Sequence, residues 1–151
     1  MEILEGQELK LENLMSFRGV VNQVDIEKIG KEMEASINIA GAKSVGYPIT
    51  AIYGVEEYKV DIEIILPIDK KIESIDRFTF KQMVKVVNAV VVKHKGSPTE
   101  LHNTCNMLNQ FIVEKNLLPI TVGYNVTKRI DLIDIQNSEI EVYVGINPNI
   151  L

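Results

Sequence analysis

Apolar and polar positions alternate from about Leu9 to Val21, and Met15, Phe17 and Gly19 fall on one side of that alternation, as on a strand. The period then lengthens. From about Val24 to Ala40 the apolar residues Ile26, Ile29, Met33, Ile37 and Ala40 recur three or four apart, which predicts a helix with one buried stripe. Glu27, Lys28, Lys31 and Glu34 fall on its opposite, solvated side, and Gly41 is the expected stop. A period of two returns twice more. It places Val45, Tyr47, Ile49, Ala51 and Tyr53 on one strand face, then Tyr58, Val60, Ile62, Ile64 and Leu66 on another. Lys59, Asp61 and Glu63 take the other face of that last strand, and Pro67 suits its end.

The charged stretch Asp69 to Asp76 reads as a connection, and Phe78 to Met83 as a short strand or the lead-in to the next. Lys85 to Lys95 carries β-branched residues at both parities, the pattern of a strand covered on both sides. Ser97-Pro98-Thr99-Glu100 is a capping box with proline at the first helical position. Leu101, Cys105, Leu108, Ile112, Val113 and Leu117 form the predicted buried stripe of the helix it opens, and Pro119 ends it. Strands follow at about Ile120 to Lys128 and Glu139 to Ile146.

Each half therefore reads strand, helix, strand, strand, and the halves share landmarks. Arg18-Gly19 precedes the first helix and Val45-Gly46-Tyr47 follows it; Lys95-Gly96 and Val122-Gly123-Tyr124 flank the second. Both glycine pairs are 27 residues apart. Ile62-Glu63-Ile64 also matches Ile140-Glu141-Val142. The expected organisation is one domain over 1–151, with repeat one at about 9–68 and repeat two at about 84–147. The fold class is α+β: two βαββ repeats merging their strands into a mixed or antiparallel sheet, two long helices on one face, and a groove near a pseudo-twofold axis.

Composition narrows the function more than the fold. Sixteen basic against 21 acidic residues give a net charge of −5, with the basic residues scattered, so a phosphate backbone would be repelled and no nucleic-acid partner is expected. No apolar run approaches the roughly 20 residues of a bilayer span, and the N-terminus has no signal-peptide pattern. The single cysteine, Cys105, excludes an internal disulfide and fits a cytoplasmic location. His94 and His102 lack a ligand spacing, so no metal is assigned, and no phosphate loop, dinucleotide fingerprint or nucleophile elbow suggests a cofactor.

His94-Lys95-Gly96 before a capped helix, Leu66-Pro67-Ile68 after Glu63-Ile64-Ile65, and Glu141-Val142-Tyr143-Val144 together make the chain resemble the gyrase-inhibitor-like (GyrI-like) effector-binding domains over about Leu11 to Asn147. Those domains are duplicated βαββ modules, free-standing or attached to bacterial transcription activators. Some are hydrolases, and others protect gyrase or sense ligands. The resemblance implies a groove that takes small aromatic or cationic molecules, with Glu141 at the position of its acidic residue. Three departures stand out: the chain has no tryptophan, Gly145 replaces a frequent proline, and no DNA-binding segment precedes the module. A stand-alone ligand-binding protein is therefore expected rather than a transcription factor.

The candidate ligand-binding residues are Glu141, Tyr143, Tyr124, Tyr47, Phe17 and Glu63. A carboxylate among apolar walls is costly to desolvate, and an incoming cation offsets that cost. Tyrosine faces add about 0.5–2 kcal/mol each. Each residue also has a plainer reading. Glu141 and Tyr143 share a face that is exposed in a simple strand, Glu63 between Asp61 and Lys59 reads as solvated, and Tyr47, Tyr124 and Phe17 sit on apolar core faces. Besides the small-molecule binder, two functions stay open. One is a protein-interaction or adaptor module, of the kind encoded at secretion or toxin loci, with a homodimer or protein partner. The other is a small hydrolase with Glu141 as general base, and the chain is read as a binding protein rather than an enzyme.

Overall fold

The computed structural model describes residues 2–149. The chain divides into two compact units, Lys10–Lys85 and the remainder made of residues 2–9 and 86–149. The class is α+β, and within each unit every strand pairing is antiparallel.

In the unit Lys10–Lys85, β1 (Glu2–Asn22, contributing from Lys10 onward) leads through a single 3-10 turn, Gln23–Asp25, into α1 (Ile26–Ile39). The chain returns as β2 (Ile49–Glu56) and β3 (Lys59–Pro67), then enters β4 (Thr79–Lys95). β3 is the central partner, pairing with β1 through Phe17↔Ile64 and with β2 through Ala51↔Glu63. Of the predicted helix stripe, Ile29, Met33 and Ile37 are buried against Met15, Phe17, Val60, Ile62, Ile64 and Leu66, Ile26 is partly buried against the same cluster, and Ala40, just past the helix end, is exposed. Each fully buried side chain of this kind contributes about 1.5–3 kcal/mol. α1 closes as expected at Gly41, whose φ of 87° is the left-handed conformation that glycine adopts without a Cβ clash. The amides of Gly41 and Ala42 donate to the carbonyls of Asn38 and Ile37.

The second unit contains the rest of β4, α2 (Leu101–Glu114), β5 (Pro119–Arg129) and β6 (Glu139–Ile146). Here β6 is central, with Lys93↔Glu141 on the β4 side and Tyr124↔Tyr143 on the β5 side. Leu108 and Ile112 bury against Val90, Val92, Val142, Val144 and Ile146, and Leu101, Cys105 and Leu117 are partly buried against the same cluster. Ser97 caps the turn Pro98–Glu100 that precedes α2, its Oγ accepting from the Thr99 amide at 3.3 Å. Asn116, at φ 55°, ends α2 with the same reversal that Gly41 gives α1.

Several boundaries and faces differ from the expectation, among them Tyr58, which stands 79% exposed before β3 begins at Lys59. β1 begins at Glu2 rather than Leu9, although residues 2–8 carry no apolar–polar alternation that would mark them as strand. Thr79–Lys95 is one strand rather than a lead-in and a strand. β2 begins at Ile49, not Val45, since Pro48 has no amide to donate to a ladder, and the Val45 amide instead bonds the Pro67 carbonyl. Val113 is 74% exposed, because it stands one position round the helix from the Ile112 stripe.

Candidate functional site

Each unit places carboxylates on the sheet face opposite its helix, Asp61 and Glu63 on β3 and Glu139 and Glu141 on β6. In the unit Lys10–Lys85 the more buried of the two is Glu63. Its strand neighbours Ile62 and Ile64 point into the α1 core, so the pleat turns Glu63 the other way, beside Ser16 of β1 and Ala51 of β2. The expectation that Glu63 is solvated fails there, as it is only 6% exposed. Its burial is matched by donors: Ser16 Oγ at 2.9 Å and Lys81 Nζ at 2.8 Å on Oε2, and the Tyr53 hydroxyl at 3.4 Å on Oε1. Such saturation is what allows a carboxylate to remain buried.

Tyr53 reaches this position through a break in register. Ile52 pairs with Ile62 and Gly54 with Asp61, leaving Tyr53 as the extra residue of a β-bulge that re-aims its side chain. The Arg18 guanidinium lies 3.4 Å from the Tyr53 ring centre and forms two bonds to Asp61, at 3.0 and 3.2 Å. The hydrogen bond from Arg18 holds the Asp61 carboxyl below its ordinary value, against the opposing effect of desolvation.

In the second unit the corresponding face of β6 carries Glu141 and Tyr143, since Val142 and Val144 point into the α2 core. The Tyr143 hydroxyl donates to Glu141 Oε1 at 2.7 Å. Lys128 Nζ stands 3.8 Å from the same oxygen, at the outer limit of an ion pair. Glu141 Oε2 accepts no hydrogen bond among the described residues, and the side chain is 19% exposed. Burial raises the Tyr143 phenol well above its ordinary value of 10.0, and the hydrogen bond to Glu141 and the charge of that carboxylate add to the rise. Tyr124, directly across from Tyr143 on β5, presents a second partly buried phenol to the same face.

The remaining predicted residues lie elsewhere. Phe17 is 5% exposed in the α1 core, edge-to-face with Phe78 at 6.3 Å, on the opposite side of β1 from Ser16. Tyr47 precedes β2 in a loop, 44% exposed, and lines a cavity of about 340 Å³ beside α1 with Gly30, Met33 and Pro48. The strand register also bears on the expected matching of the two halves. Arg18 stands opposite Glu63 and Lys95 opposite Glu139, so aligning Gly19 with Gly96 makes Glu139, not Glu141, the counterpart of Glu63. The offset is two residues, which preserves the face.

Ser16, Tyr53, Lys81 and Lys128 were not singled out from the sequence. Ser16 carried a usable signal, a lone hydroxyl within Leu14-Met15-Ser16-Phe17. The others reach a carboxylate across strands, which no local pattern encodes. His94 is buried and structural: Nδ1 lies 2.6 Å from Thr104 Oγ1 and Nε2 lies 2.9 Å from the Ser97 carbonyl, tying β4 to the start of α2. Partial burial raises the Cys105 thiol, the opposite of activation. Among the described residues no cluster of His, Cys, Asp and Glu is able to hold a metal, and no helix is long and apolar enough to cross a membrane.

No protein-family profile and no curated protein matches the chain. Solved structures do. The chain is similar to the EcmrR C-terminal domain, with a TM-score of 0.79 at 16% identity and 97% of each chain covered. It also aligns with EcmrR in a DNA complex, with a TM-score of 0.76 at 20% identity, and there it spans 57% of the EcmrR chain. SAV2435 bound to tetraphenylphosphonium gives a TM-score of 0.58 at 10% identity, covering 97% of this chain and 93% of that one. A hydrolase from Listeria innocua gives 0.54 at 12%, covering 97% and 91%. At these identities the likeness is one of fold.

Proposed function

We propose that this chain is a GyrI-like effector-binding protein of the cytoplasm that binds a small cationic or aromatic molecule, with Glu141 as its charged contact and Tyr143 and Tyr124 as the adjoining aromatic surface. The observation that carries the reading is the half-satisfied state of Glu141. One oxygen is fixed by Tyr143 at 2.7 Å, while the other accepts nothing among the described residues. A carboxylate so placed has lost much of its hydration without gaining a full set of donors, so a ligand cation recovers more free energy there than on an open surface. Lys128, at 3.8 Å and about half exposed, is a weak competitor. Tyr143 fixes the carboxylate's orientation in advance, which lowers the ordering cost of binding.

The likeness to SAV2435 bound to tetraphenylphosphonium supports a lipophilic cation as the ligand class. The net charge of −5 supports a small molecule rather than a nucleic acid as the partner of this chain. Thermal unfolding with a panel of lipophilic cations tests the proposal. A cation at a hundred times its Kd stabilises the fold by about 2.7 kcal/mol, a rise of roughly 5–10 °C in Tm for a chain of this size. Glu141→Gln is expected to lose most of that rise. A panel that leaves the wild-type Tm unmoved contradicts the proposal.

A further inference from the structure

The unit Lys10–Lys85 already contains a complete set of groups for recognising a cation, and the chain's own cations occupy it. The aromatic surface is Tyr53, with the Arg18 guanidinium 3.4 Å from its ring centre. The carboxylates are Asp61, bonded twice by Arg18, and Glu63, bonded by Lys81 Nζ at 2.8 Å. These are the contacts a ligand cation makes with an aromatic and acidic site, satisfied from within. The two occupants differ in how firmly they are held. Arg18 is fixed by two bonds and a ring. Lys81 is held by a single ion pair, its side chain 40% exposed on a flexible stem, while the carboxylate it covers is 8% exposed.

We propose that Lys81 is a resident counter-ion that withholds Glu63 from external cations and so determines how tightly, and by which acid, this protein takes a cationic ligand. The inference rests on the small-molecule reading above and adds a specificity residue to it. Among the described residues the cation paired with Glu141 is Lys128, at 3.8 Å, while Lys93 across from it on β4 pairs with Glu2, whereas Glu63 is closed by Lys81. An external cation gains Glu63 only by displacing the ammonium, so the free energy of the Lys81–Glu63 pair is subtracted from its affinity. Ser16 Oγ, 2.9 Å from the same oxygen, keeps the carboxylate in place when the lysine leaves.

The test is titration of the full chain with tetraphenylphosphonium by calorimetry, for the wild type, Lys81→Met, Lys81→Arg and Lys81→Met/Glu63→Gln. Lys81→Met is expected to bind about tenfold more tightly than the wild type. Lys81→Arg should remain near the wild type, and the double variant should lose the gain. Should methionine unfold the protein, as judged by far-UV circular dichroism, Lys81→Gln retains a donor for Glu63 without the charge and carries the same expectation. Equal or weaker binding by Lys81→Met, or a gain that survives Glu63→Gln, overturns the inference. If the wild type binds through Glu141 and Lys81→Met is unchanged, the inference alone fails. Absence of binding in every protein overturns the functional reading with it.

Discussion

The phenol of Tyr143 keeps its proton more firmly than a free tyrosine because it is partly buried and donates to the Glu141 carboxylate. Its folded value lies above the ordinary value of 10.0, so the folded state holds the proton after the unfolded chain has released it. The stabilisation is therefore complete below pH 10 and declines as pH rises from about 10 toward the folded value. The urea midpoint of the wild type is expected to fall more steeply above pH 10 than that of Tyr143→Phe, whose curve lacks this contribution. Parallel curves would show that Tyr143 is not protonated preferentially in the fold. The pairing of Tyr143 with Glu141 was legible in the sequence, because residues two apart on a strand share a face. The burial of Glu63 was not. Alternation assigns a face but does not say what covers it, and here the covering groups are Ser16, Tyr53 and Lys81 from three other strands.

Among the elements, β6 shows most clearly how backbone chemistry shapes the candidate site. Gly145 stands two positions after Tyr143, and its amide donates to Thr121 Oγ1 at 2.8 Å, a bond that proline at this position is unable to make. A Cβ added here would approach Thr121 Cγ2 to 2.8 Å, with Thr121 Oγ1 and Val86 Cγ1 both at 3.1 Å. Gly145→Ala is expected to destabilise the fold by about 1–3 kcal/mol through overpacking. Adding Thr121→Ser, which removes the Cγ2 methyl while keeping the acceptor oxygen, should restore part of that loss in a double-mutant cycle. Additive losses in chemical denaturation would place the strain elsewhere. Both helices could be read in advance from their stripes, and the Gly41 and Ser97 signals mark their boundaries as expected. The onset of β2 was missed although Pro48 marks it, and the bulge at Tyr53 could not be read, because it depends on which backbone amides find partners on β3. The first of these removed Tyr47 from a strand face, and the second brought Tyr53 to Glu63.

At the scale of the whole molecule, the α+β class followed from the order of periods along the chain, and the same order of strand, helix, strand, strand appears in both units. Each unit directs its aliphatic residues at its helix and a carboxylate to the other face. What separates the units is how those carboxylates are partnered. Glu63 has serine, tyrosine and lysine donors, whereas Glu141 has one tyrosine and a distant lysine. The sequence gives both acids the same local setting of alternating aliphatic residues, so only the fold distinguishes a saturated carboxylate from an available one. The most direct measurement is calorimetric titration of tetraphenylphosphonium into the wild type, Glu141→Gln and Glu63→Gln. The account predicts saturable binding by the wild type, weakened about tenfold or more by Glu141→Gln and changed far less by Glu63→Gln, whose carboxylate Lys81 already occupies. Wild-type protein that releases no heat of binding, or Glu141→Gln that binds as tightly as the wild type, would contradict it.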